Sequence, residues 1–287
     1  MKLRLFLLSF ATCIAACSQL PQKQMDNNLY VSILPLKYIL RNIVHDDFQI
    51  KVLVPPGASP ETFEPTPKQF VELNRARFIF NVGLIDFENA LLDKINEPEK
   101  VVDLHVGIDL IEGACAHGKH NDNGIHHDHG VDPHVWTSPK ALKIMARNAF
   151  EAIQRAFPDS TKYADAYKRL QQQLEDLDNR THDKIKRSGV EAFIVYHPAL
   201  TYYARDYGIR QMTIETDGKD PSARQLAELI RTARQYGINK VFYQNQFPKS
   251  VVEVLARDMK ARYVEIDPLD EQVVENIDRI TDLIVEP

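Results

Sequence analysis

Residues 159–188 read DSTKYADAYKRLQQQLEDLDNRTHDKIKRS, an uninterrupted helical pattern that begins just after Pro158. Its apolar positions recur in steps of four and three residues, which places them on one helix face: Tyr163, Tyr167, Leu170, Leu174 and Leu177. A helix of about 28 residues would be roughly 40 Å long. Since helices of that length are uncommon within one compact domain, we predict a rigid connecting helix, residues 159–188, between two lobes. Two helices packed on a single sheet are the alternative.

Short apolar, β-branched segments alternate with helical patterns on both sides of this helix. Four precede it and four follow it: residues 29–34, 49–54, 78–82 and 101–104, then 192–196, 210–214, 240–243 and 262–266. Such alternation is typical of a parallel sheet covered by helices on both faces. We therefore predict an α/β fold of two lobes, residues 29–157 and 189–287, each a mainly parallel four-stranded sheet with flanking helices.

The N-terminus has the features of a secretory signal. Two basic residues precede an apolar run at residues 5–12, which is too short to span a bilayer. The sequence IAAC that ends at Cys17 resembles a bacterial lipobox. We predict a signal peptide at 1–16, a lipidated Cys17 and a polar tether at 17–28, which would anchor the protein to a membrane at the periplasmic or extracytoplasmic face of the cell envelope. An ordinary signal with an incidental cysteine is the alternative.

Charge and cysteine content exclude several classes of protein. The formal net charge of -5 becomes -7 once Lys2 and Arg4 leave with the signal, and an acidic body argues against nucleic acid as a partner. No later apolar stretch approaches about 18 residues, so we expect no transmembrane helix. Cys115 would be the single remaining thiol, which excludes a disulfide framework. We expect a monomer.

Six of the ten histidines lie between residues 117 and 134. Five of them fall in the run AHGKHNDNGIHHDHG, the His-rich loop at 117–130: His117, His120, His126, His127 and His129. Imidazole is a common ligand of zinc, copper, nickel and iron. The crowding, the nearby glycines and the absence of cysteine pairs argue against a closed structural zinc site. We predict weak metal capture by this loop; a solvated, flexible insert is the alternative.

Metal-competent side chains follow the predicted strands, where parallel α/β sheets bind ligands. Glu61 follows the second strand, His134 precedes a predicted helix, and His197 and Asp267 follow strands of the second half. His134, His197 and Asp267 each lie next to a proline, which restricts the backbone and would help to hold the side chain in place. Two candidates from each half predict one metal in the cleft between the lobes.

Five stretches together resemble the metal-binding lipoproteins of bacterial ABC importers for zinc and manganese, the ZnuA- and TroA-like family. In family order they are VPPGASPETFEPTPKQ, the His-rich loop, DPHVWTSPK, YHPALTYYARDYGI and EIDPL. The resemblance covers nearly all of residues 29–285. It implies two α/β lobes joined by a long helix, one metal bound between them and a membrane permease as partner. The implied ligands are the residue at 61, His134, His197 and Asp267.

Glu61 departs from the family pattern, because the zinc branch usually has histidine in the sequence Ser-Pro-His. Two imidazoles and two carboxylates shift the preference toward Mn²⁺ or Fe²⁺. Zinc still accepts carboxylate oxygen, and the His-rich loop is a mark of the zinc branch. We therefore predict Zn²⁺ as the cargo, with Mn²⁺ or Fe²⁺ as alternatives. A further alternative is that Glu61 does not bind the metal, which leaves three protein ligands and a water. Because protons compete for imidazole, binding should weaken below about pH 6.5.

Two other classes of function are considered. A metallohydrolase would need a metal-bound water and a general base such as Glu64 or Glu61, but the sequence has no HExxH helix and no Gly-rich phosphate loop. The second alternative class is a lipid-anchored adhesin with an incidental metal site. We predict a metal carrier and no enzymatic activity.

Overall fold

The computed structural model describes residues 27–112, 130–215, 221–247 and 249–286. Two four-stranded parallel sheets, one in each half of the chain, dominate this part. The predicted signal, Cys17, Cys115 and the five histidines of the His-rich loop lie outside the described residues. No helix among the residues described has both the length and the apolar character needed to cross a membrane.

The first sheet has the strand order β2-β1-β3-β4. Its strands are β1 (Asn28–Val31), β2 (Gln49–Val52), β3 (Phe78–Asn81) and β4 (Val101–Asp103). The helices of this half are α1 (Leu34–Val44), α2 (Pro67–Arg75), α3 (Asp86–Leu92) and α4 (Pro139–Ala156). Every pair of neighbouring strands is parallel, so the carboxyl ends lie at one edge.

The second sheet repeats this arrangement with the order β6-β5-β7-β8. Its strands are β5 (Ala192–Val195), β6 (Arg210–Thr213), β7 (Lys240–Gln244) and β8 (Arg262–Ile266). The helices are α6 (Thr201–Tyr207), α7 (Ala223–Gln235), α8 (Lys249–Met259) and α9 (Val273–Val285). The predicted α/β fold with two parallel four-stranded sheets is confirmed.

One helix, α5 (Thr161–Ser188), joins the two halves over 28 residues without a break. It ends at Gly189, whose φ of 68° lies in the left-handed region that favours glycine. Its predicted apolar face is buried at Tyr163, Leu170, Leu174 and Leu177. That face packs against α1 and α4 of the first half and α9 of the second. The alternative of two helices on one sheet is therefore wrong.

The apolar core is shared between the lobes. One cluster runs from the first sheet through α5 and α9 to Phe193, Val195 and Phe242 on one face of the second sheet. The opposite face of the second sheet has its own, smaller cluster, which includes Ile194, Val241 and Leu255. The connecting helix is thus part of a continuous core and is not a solvent-exposed tether.

Strand β1 ends earlier than its apolar pattern predicts. Residues 29–34 read as one strand, but the strand stops at Val31 and helix α1 begins at Leu34. Pro35 lies in the first turn of α1, where its fixed φ favours a helix and its missing N–H costs nothing. Apolar side chains continue through the junction because both elements are buried, so hydrophobicity alone does not mark the boundary.

Candidate metal centre

Three side chains capable of binding metal converge at the edge where the strands end. Glu61, His134 and His197 each place one ligand atom within 4.8 Å of the others. The His197 Nε2 atom lies 3.0 Å from Glu61 Oε1 and 3.3 Å from His134 Nε2. His134 Nε2 lies 3.9 Å from the same oxygen of Glu61. Bonds of about 2.0–2.2 Å at tetrahedral angles separate ligand atoms by about 3.3–3.5 Å, so one ion fits between these three atoms.

Glu61 is positioned by a short 3₁₀ turn, Pro60–Thr62, on the connection after β2. The Ser59 side chain accepts a hydrogen bond from the Glu61 backbone N–H at 3.3 Å. Pro60 fixes the start of the turn, and the Glu61 side chain is only 11% exposed. The Ser-Pro-Glu sequence therefore directs a largely buried carboxylate toward the second lobe.

His134 is held by Asp132, two residues earlier in the chain. The Asp132 Oδ1 atom accepts from the His134 backbone N–H at 2.9 Å and also contacts the ring Nδ1 at 2.9 Å. This contact leaves Nε2 directed at the other two candidate ligands. The Trp136 ring packs against the imidazole at a centroid distance of 5.1 Å. A carboxylate on the far nitrogen is the usual support for a metal-binding histidine.

His197 has the same kind of support from its own lobe. Glu215, just beyond β6, is 6% exposed and places Oε2 3.1 Å from His197 Nδ1. Gln244, at the end of β7, donates to the His197 carbonyl at 2.9 Å and accepts from its N–H at 3.3 Å. Phe247 stacks on the imidazole at 4.8 Å with an interplanar angle of 19°. Contacts to the far ring nitrogen, to the backbone of His197 and to one face of the ring therefore hold this imidazole in place.

The carboxylates change the proton affinity of their partners. Burial disfavours a charged His197, but hydrogen bonds and charge from Glu215 and Glu61 outweigh burial and raise the pKa of His197 to about 9. Burial likewise opposes a charged Asp132, yet contacts with His134 lower the pKa of Asp132 overall. The metal-free centre therefore holds a proton on His197 at neutral pH, and a metal ion must displace it.

The three ligand atoms open into a cavity of about 30 Å³ between the lobes. Both lobes contribute apolar walls: Pro60, Ile85 and Trp136 from the first, Phe247, Pro268 and Leu269 from the second. Two imidazole nitrogens and one carboxylate oxygen form a donor set that suits Zn²⁺, Mn²⁺ and Fe²⁺. Apolar walls exclude water and strengthen the attraction between the ion and Glu61.

Comparisons with known proteins identify the family of this chain. A family model described as "Zinc-uptake complex component A periplasmic" matches residues 29–284.

The chain belongs to this family.

Among relatives of the zinc-uptake family, "High-affinity zinc uptake system protein ZnuA" of Bacillus subtilis (strain 168) is 28% identical over 270 residues, which cover 90% of this chain and 85% of that protein. A solved structure titled "Crystal structure of ZnuA" has a TM-score of 0.81 at 30% identity and covers 90% of this chain and 97% of that one. FpvC of Pseudomonas aeruginosa in complex with Mn²⁺ has a TM-score of 0.75 over 90% and 96% of the two chains. At 18% identity, that likeness shows the fold alone.

Membership in the zinc-uptake family confirms the resemblance inferred from the motifs. The relatives are described as metal-binding and uptake proteins rather than enzymes, in agreement with the prediction of no enzymatic activity. Glu64 does not support the hydrolase alternative, because it is exposed and lies outside the group formed by Glu61, His134 and His197. Glu61, the other base considered, faces both imidazoles.

The structure brings together three of the four ligands that the sequence predicts. Asp267 is not in the group: its Oδ1 accepts from the Leu269 N–H at 3.0 Å and from Gln246 Nε2 at 3.4 Å. It lines a separate cavity of about 10 Å³ with Ile33 and Pro55 of the first lobe. Asp267 as a ligand stays a prediction that this arrangement does not support.

Sequence reasoning missed Glu215 and Gln244. Both could have been found by the rule that identified the ligands, because Glu215 directly follows a predicted strand and Gln244 ends β7. The signal that was overlooked is therefore the polar residue at the end of a strand, whether or not it binds metal.

Proposed function

We propose that the protein binds one Zn²⁺ ion between its lobes and delivers it to the membrane permease of an ABC importer. The observation that carries the proposal is the convergence of Glu61, His134 and His197. Two of these side chains come from the first lobe and one from the second. The ion would therefore bridge the lobes. The permease would recognise the arrangement of the lobes that the bound ion fixes.

Zinc is favoured over the alternatives by the two supported imidazoles. At matched nitrogen and oxygen ligands, Zn²⁺ binds more tightly than Mn²⁺ or Fe²⁺ in the Irving–Williams order. The two nitrogens available to the ion, His134 Nε2 and His197 Nε2, both belong to rings whose other nitrogen contacts a carboxylate. That support raises the basicity of the imidazole and its affinity for a borderline ion.

Manganese or iron is the second candidate cargo, and the observation that favours it is the Glu61 carboxylate. Its Oε1 atom is within 3.9 Å of both imidazole nitrogens, so a hard oxygen donor is part of the centre. Oxygen donors suit Mn²⁺ better than nitrogen donors do. Direct competition between the two ions is therefore part of the test.

Delivery requires that the protein stays near the membrane that contains its permease. The signal-like residues 1–16 and the lipobox-like sequence at Cys17 support export and a lipid anchor there. Family membership supports a periplasmic or extracytoplasmic location. The permease would accept the ion from the protein docked at the outer face of the membrane.

The experiment is calorimetry of the metal-stripped protein with Zn²⁺ and Mn²⁺, on the wild type, His134→Ala and His197→Ala. The matched control is His182→Ala, which removes an exposed histidine from α5. We expect one tight Zn²⁺ site in wild type and control, and its loss in both site variants. Unchanged binding in the two site variants refutes the site. If Mn²⁺ displaces Zn²⁺ at equal concentration, the cargo is manganese.

A further inference from the structure

The amino-terminal edges of the two sheets lie at opposite ends of the molecule. At the start of α5, Lys162 forms an ion pair with Asp47, two residues before β2, and the Tyr163 hydroxyl donates to the same carboxylate at 2.6 Å. The other end of α5 leads into β5 after three residues. Since a helix of 28 residues is about 42 Å long, the two edges are separated by about that distance.

The edge of the second sheet is surrounded by helix ends, which together with it form the second-lobe pole. Helices α5, α6, α7 and α8 each end just before the strand that follows them. Lys240, at the start of β7, donates through Nζ to the carbonyls of Leu283 and Glu286, so the end of α9 lies there too. The pole consists of residues 186–191, 208–210, 234–240, 257–262 and 286.

Positive charge is concentrated at the second-lobe pole. The two edge strands of the sheet, β6 and β8, begin with Arg210 and Arg262. Neighbouring strands are about 4.8 Å apart, so the starts of these two strands lie about 14 Å apart. Seven basic side chains of the pole are exposed: Lys186, Arg187, Arg210, Arg234, Arg257, Lys260 and Arg262. The pole includes three acidic residues: Glu191, Asp258 and Glu286.

The corresponding end of the first lobe, the first-lobe pole, is balanced in charge. It contains six basic and six acidic residues, in the ranges 45–49, 75–78, 93–101 and 155–162. The helix dipole favours basic residues in the last turn of a helix in both lobes, but Arg210, Lys260 and Arg262 lie outside the helices. The whole chain has a net charge of -5, so the excess of positive charge at one pole requires a separate explanation.

An anionic phospholipid bilayer fits this pole in charge and in aromatic content. Tyr236, two residues after Arg234 in the turn before β7, is 38% exposed. Basic side chains bind anionic headgroups, and tyrosine favours the boundary between headgroups and water. The signal-like and lipobox-like sequences would keep the protein beside such a surface.

We infer that the second-lobe pole binds anionic phospholipid headgroups, and that the lipid-anchored protein therefore lies with α5 inclined toward the membrane. Asn27, where the predicted tether meets the fold, is at the first-lobe pole, because its Nδ2 donates to the Asp47 carbonyl at 2.7 Å. The ten residues from Cys17 to Asn27 span at most about 36 Å, which is less than the length of α5. A molecule standing upright on its second-lobe pole would therefore lift Asn27 beyond the reach of the anchor.

Contact at both poles keeps the metal centre, which lies between them, close to the membrane that would hold the permease. The orientation rests on the lipid anchor of the proposed function, whereas the contact between the pole and the headgroups does not. The contact is electrostatic, so it should weaken as salt is added.

The test uses the chain without its predicted signal, residues 17–287, with Cys17→Ser so that no lipid is attached. Flotation measures its binding to vesicles of phosphatidylcholine alone or mixed with phosphatidylglycerol. The pole variant combines three substitutions: Arg210→Gln, Lys260→Gln and Arg262→Gln. The matched control removes the same charge from three exposed residues of the first-lobe pole: Arg75→Gln, Lys94→Gln and Arg155→Gln.

We expect binding only to the vesicles that contain phosphatidylglycerol. The pole variant should bind them about 100-fold more weakly, because each basic residue near an anionic bilayer contributes about fivefold, and the control should stay within about threefold of the unsubstituted chain. Equal losses in the two variants, equal binding to both kinds of vesicle, or no binding overturns the inference. A dimer in sedimentation equilibrium that only the pole variant loses also overturns it, since the pole is then an interface between copies.

Neutron reflectometry of the lipidated protein on a bilayer that contains phosphatidylglycerol tests the orientation. The protein layer should be thinner for the wild type than for the pole variant, and equal thickness overturns the inclined orientation. Calorimetry with Zn²⁺ should give the same affinity in both variants, which also shows that they fold. A chain that binds Zn²⁺ but not vesicles overturns this inference alone, whereas a chain that binds vesicles but not Zn²⁺ refutes only the proposed function.

Discussion

The Tyr202 hydroxyl in the second lobe donates a 2.7 Å hydrogen bond to the main-chain carbonyl of Asp132 in the first lobe. The same hydroxyl accepts from the Ile111 N–H at 3.2 Å. Asp132 holds His134, and Tyr202 lies on α6, which begins four residues after His197. A single buried hydroxyl therefore connects Asp132, which supports His134, to the helix that follows His197 in the other lobe.

Replacing Tyr202 by phenylalanine should loosen the metal centre more than it weakens the fold. The variant keeps the ring but leaves the buried Asp132 carbonyl without this donor and the partly buried Ile111 N–H without this acceptor, a cost of about 1–3 kcal/mol. Since Asp132 is then free to shift with His134, we expect Zn²⁺ to dissociate roughly tenfold faster, which corresponds to about 1.4 kcal/mol. Stopped-flow transfer of Zn²⁺ to a chelator measures the rate.

Tyr203→Phe is the matched control for that experiment. Tyr203 is the next residue, is also fully buried, and bonds through its hydroxyl to Thr281 at 2.8 Å. Its loss should lower the unfolding temperature by a similar amount but leave the Zn²⁺ dissociation rate unchanged. Equal rates in the two variants would show that Tyr202 contributes only to stability.

Glu215 should contribute to metal affinity without touching the ion. Its carboxylate contacts His197 Nδ1 at 3.1 Å and so orients the ring. Glu215→Ala should reduce Zn²⁺ affinity by about 10–100-fold, the usual effect of removing such a support. The Zn²⁺ affinity should be measured at pH 9 or above, where protons compete less with the ion for His197. Glu265→Gln, which alters a contact with Tyr243 on the same lobe, is the control, and an unchanged affinity in Glu215→Ala contradicts the assigned role.

Zinc binding should strengthen as pH rises through the neutral range. Glu215 and Glu61 overcome the effect of burial and raise the pKa of His197 to about 9, well above the value of about 6.5 expected from the sequence. A raised pKa means that the metal-free protein carries the proton below pH 9, so Zn²⁺ must displace it. Apparent affinity should fall up to about tenfold per pH unit below 9. Calorimetry in buffers of different ionisation enthalpy should show about one proton released at pH 7.5, and binding that is constant from pH 7 to 9 would contradict this.

Most of the fold could be predicted because its signals are local. The period of Tyr163, Leu170, Leu174 and Leu177 defines the face of the connecting helix, and all four are buried. The alternation of strand and helix patterns predicts both sheets. The end of β1 could not be predicted, because buried apolar residues continue across it, with Val31 before the boundary and Ile33 and Leu36 after it.

The metal centre was only partly predictable, since side-chain direction is not a local property. The rule that ligands follow the ends of strands predicts Glu61 and His197 at one edge, and the structure brings both together with His134. The same rule places Asp267 at that edge, but the turn closed through the Leu269 N–H directs its carboxylate elsewhere. The position of Glu215 after a strand is visible in the sequence, but its contact with His197, which is 18 residues away and follows the neighbouring strand, is not.

The His-rich loop should be removable without loss of the tight site. Glu112 and Val131 pair in an antiparallel bridge, and the Asp132 N–H donates to the Ile111 carbonyl at 3.0 Å. The chain therefore leaves the first lobe at Glu112 and re-enters it beside that point, at Val131. Deleting residues 117–130 leaves residues 113–116 as a short connection between the two. We expect calorimetry to show that the weak sites disappear while the tight site changes by less than about threefold, because the support of His134 by Asp132 is kept. Replacing the five histidines by asparagine is the control, and loss of the tight site in either variant contradicts separate roles.

Metal binding should move the lobes only slightly. The core of the first lobe continues through α5 and α9 to the second sheet, so a hinge would have to open packed apolar surface. Ion pairs reinforce the same junction: Lys184 of α5 contacts Asp278 of α9 at 2.9 Å, and Lys37 of α1 contacts Glu271 before α9 at 2.8 Å. Small-angle X-ray scattering should give radii of gyration for the metal-free and Zn²⁺-loaded protein that agree within about 0.5 Å, far less than the change expected of hinge closure. A larger decrease of the radius of gyration on Zn²⁺ loading would show that the connecting helix bends or that the shared core separates. A variant with Lys37→Ala and Lys184→Ala would then show a still larger decrease.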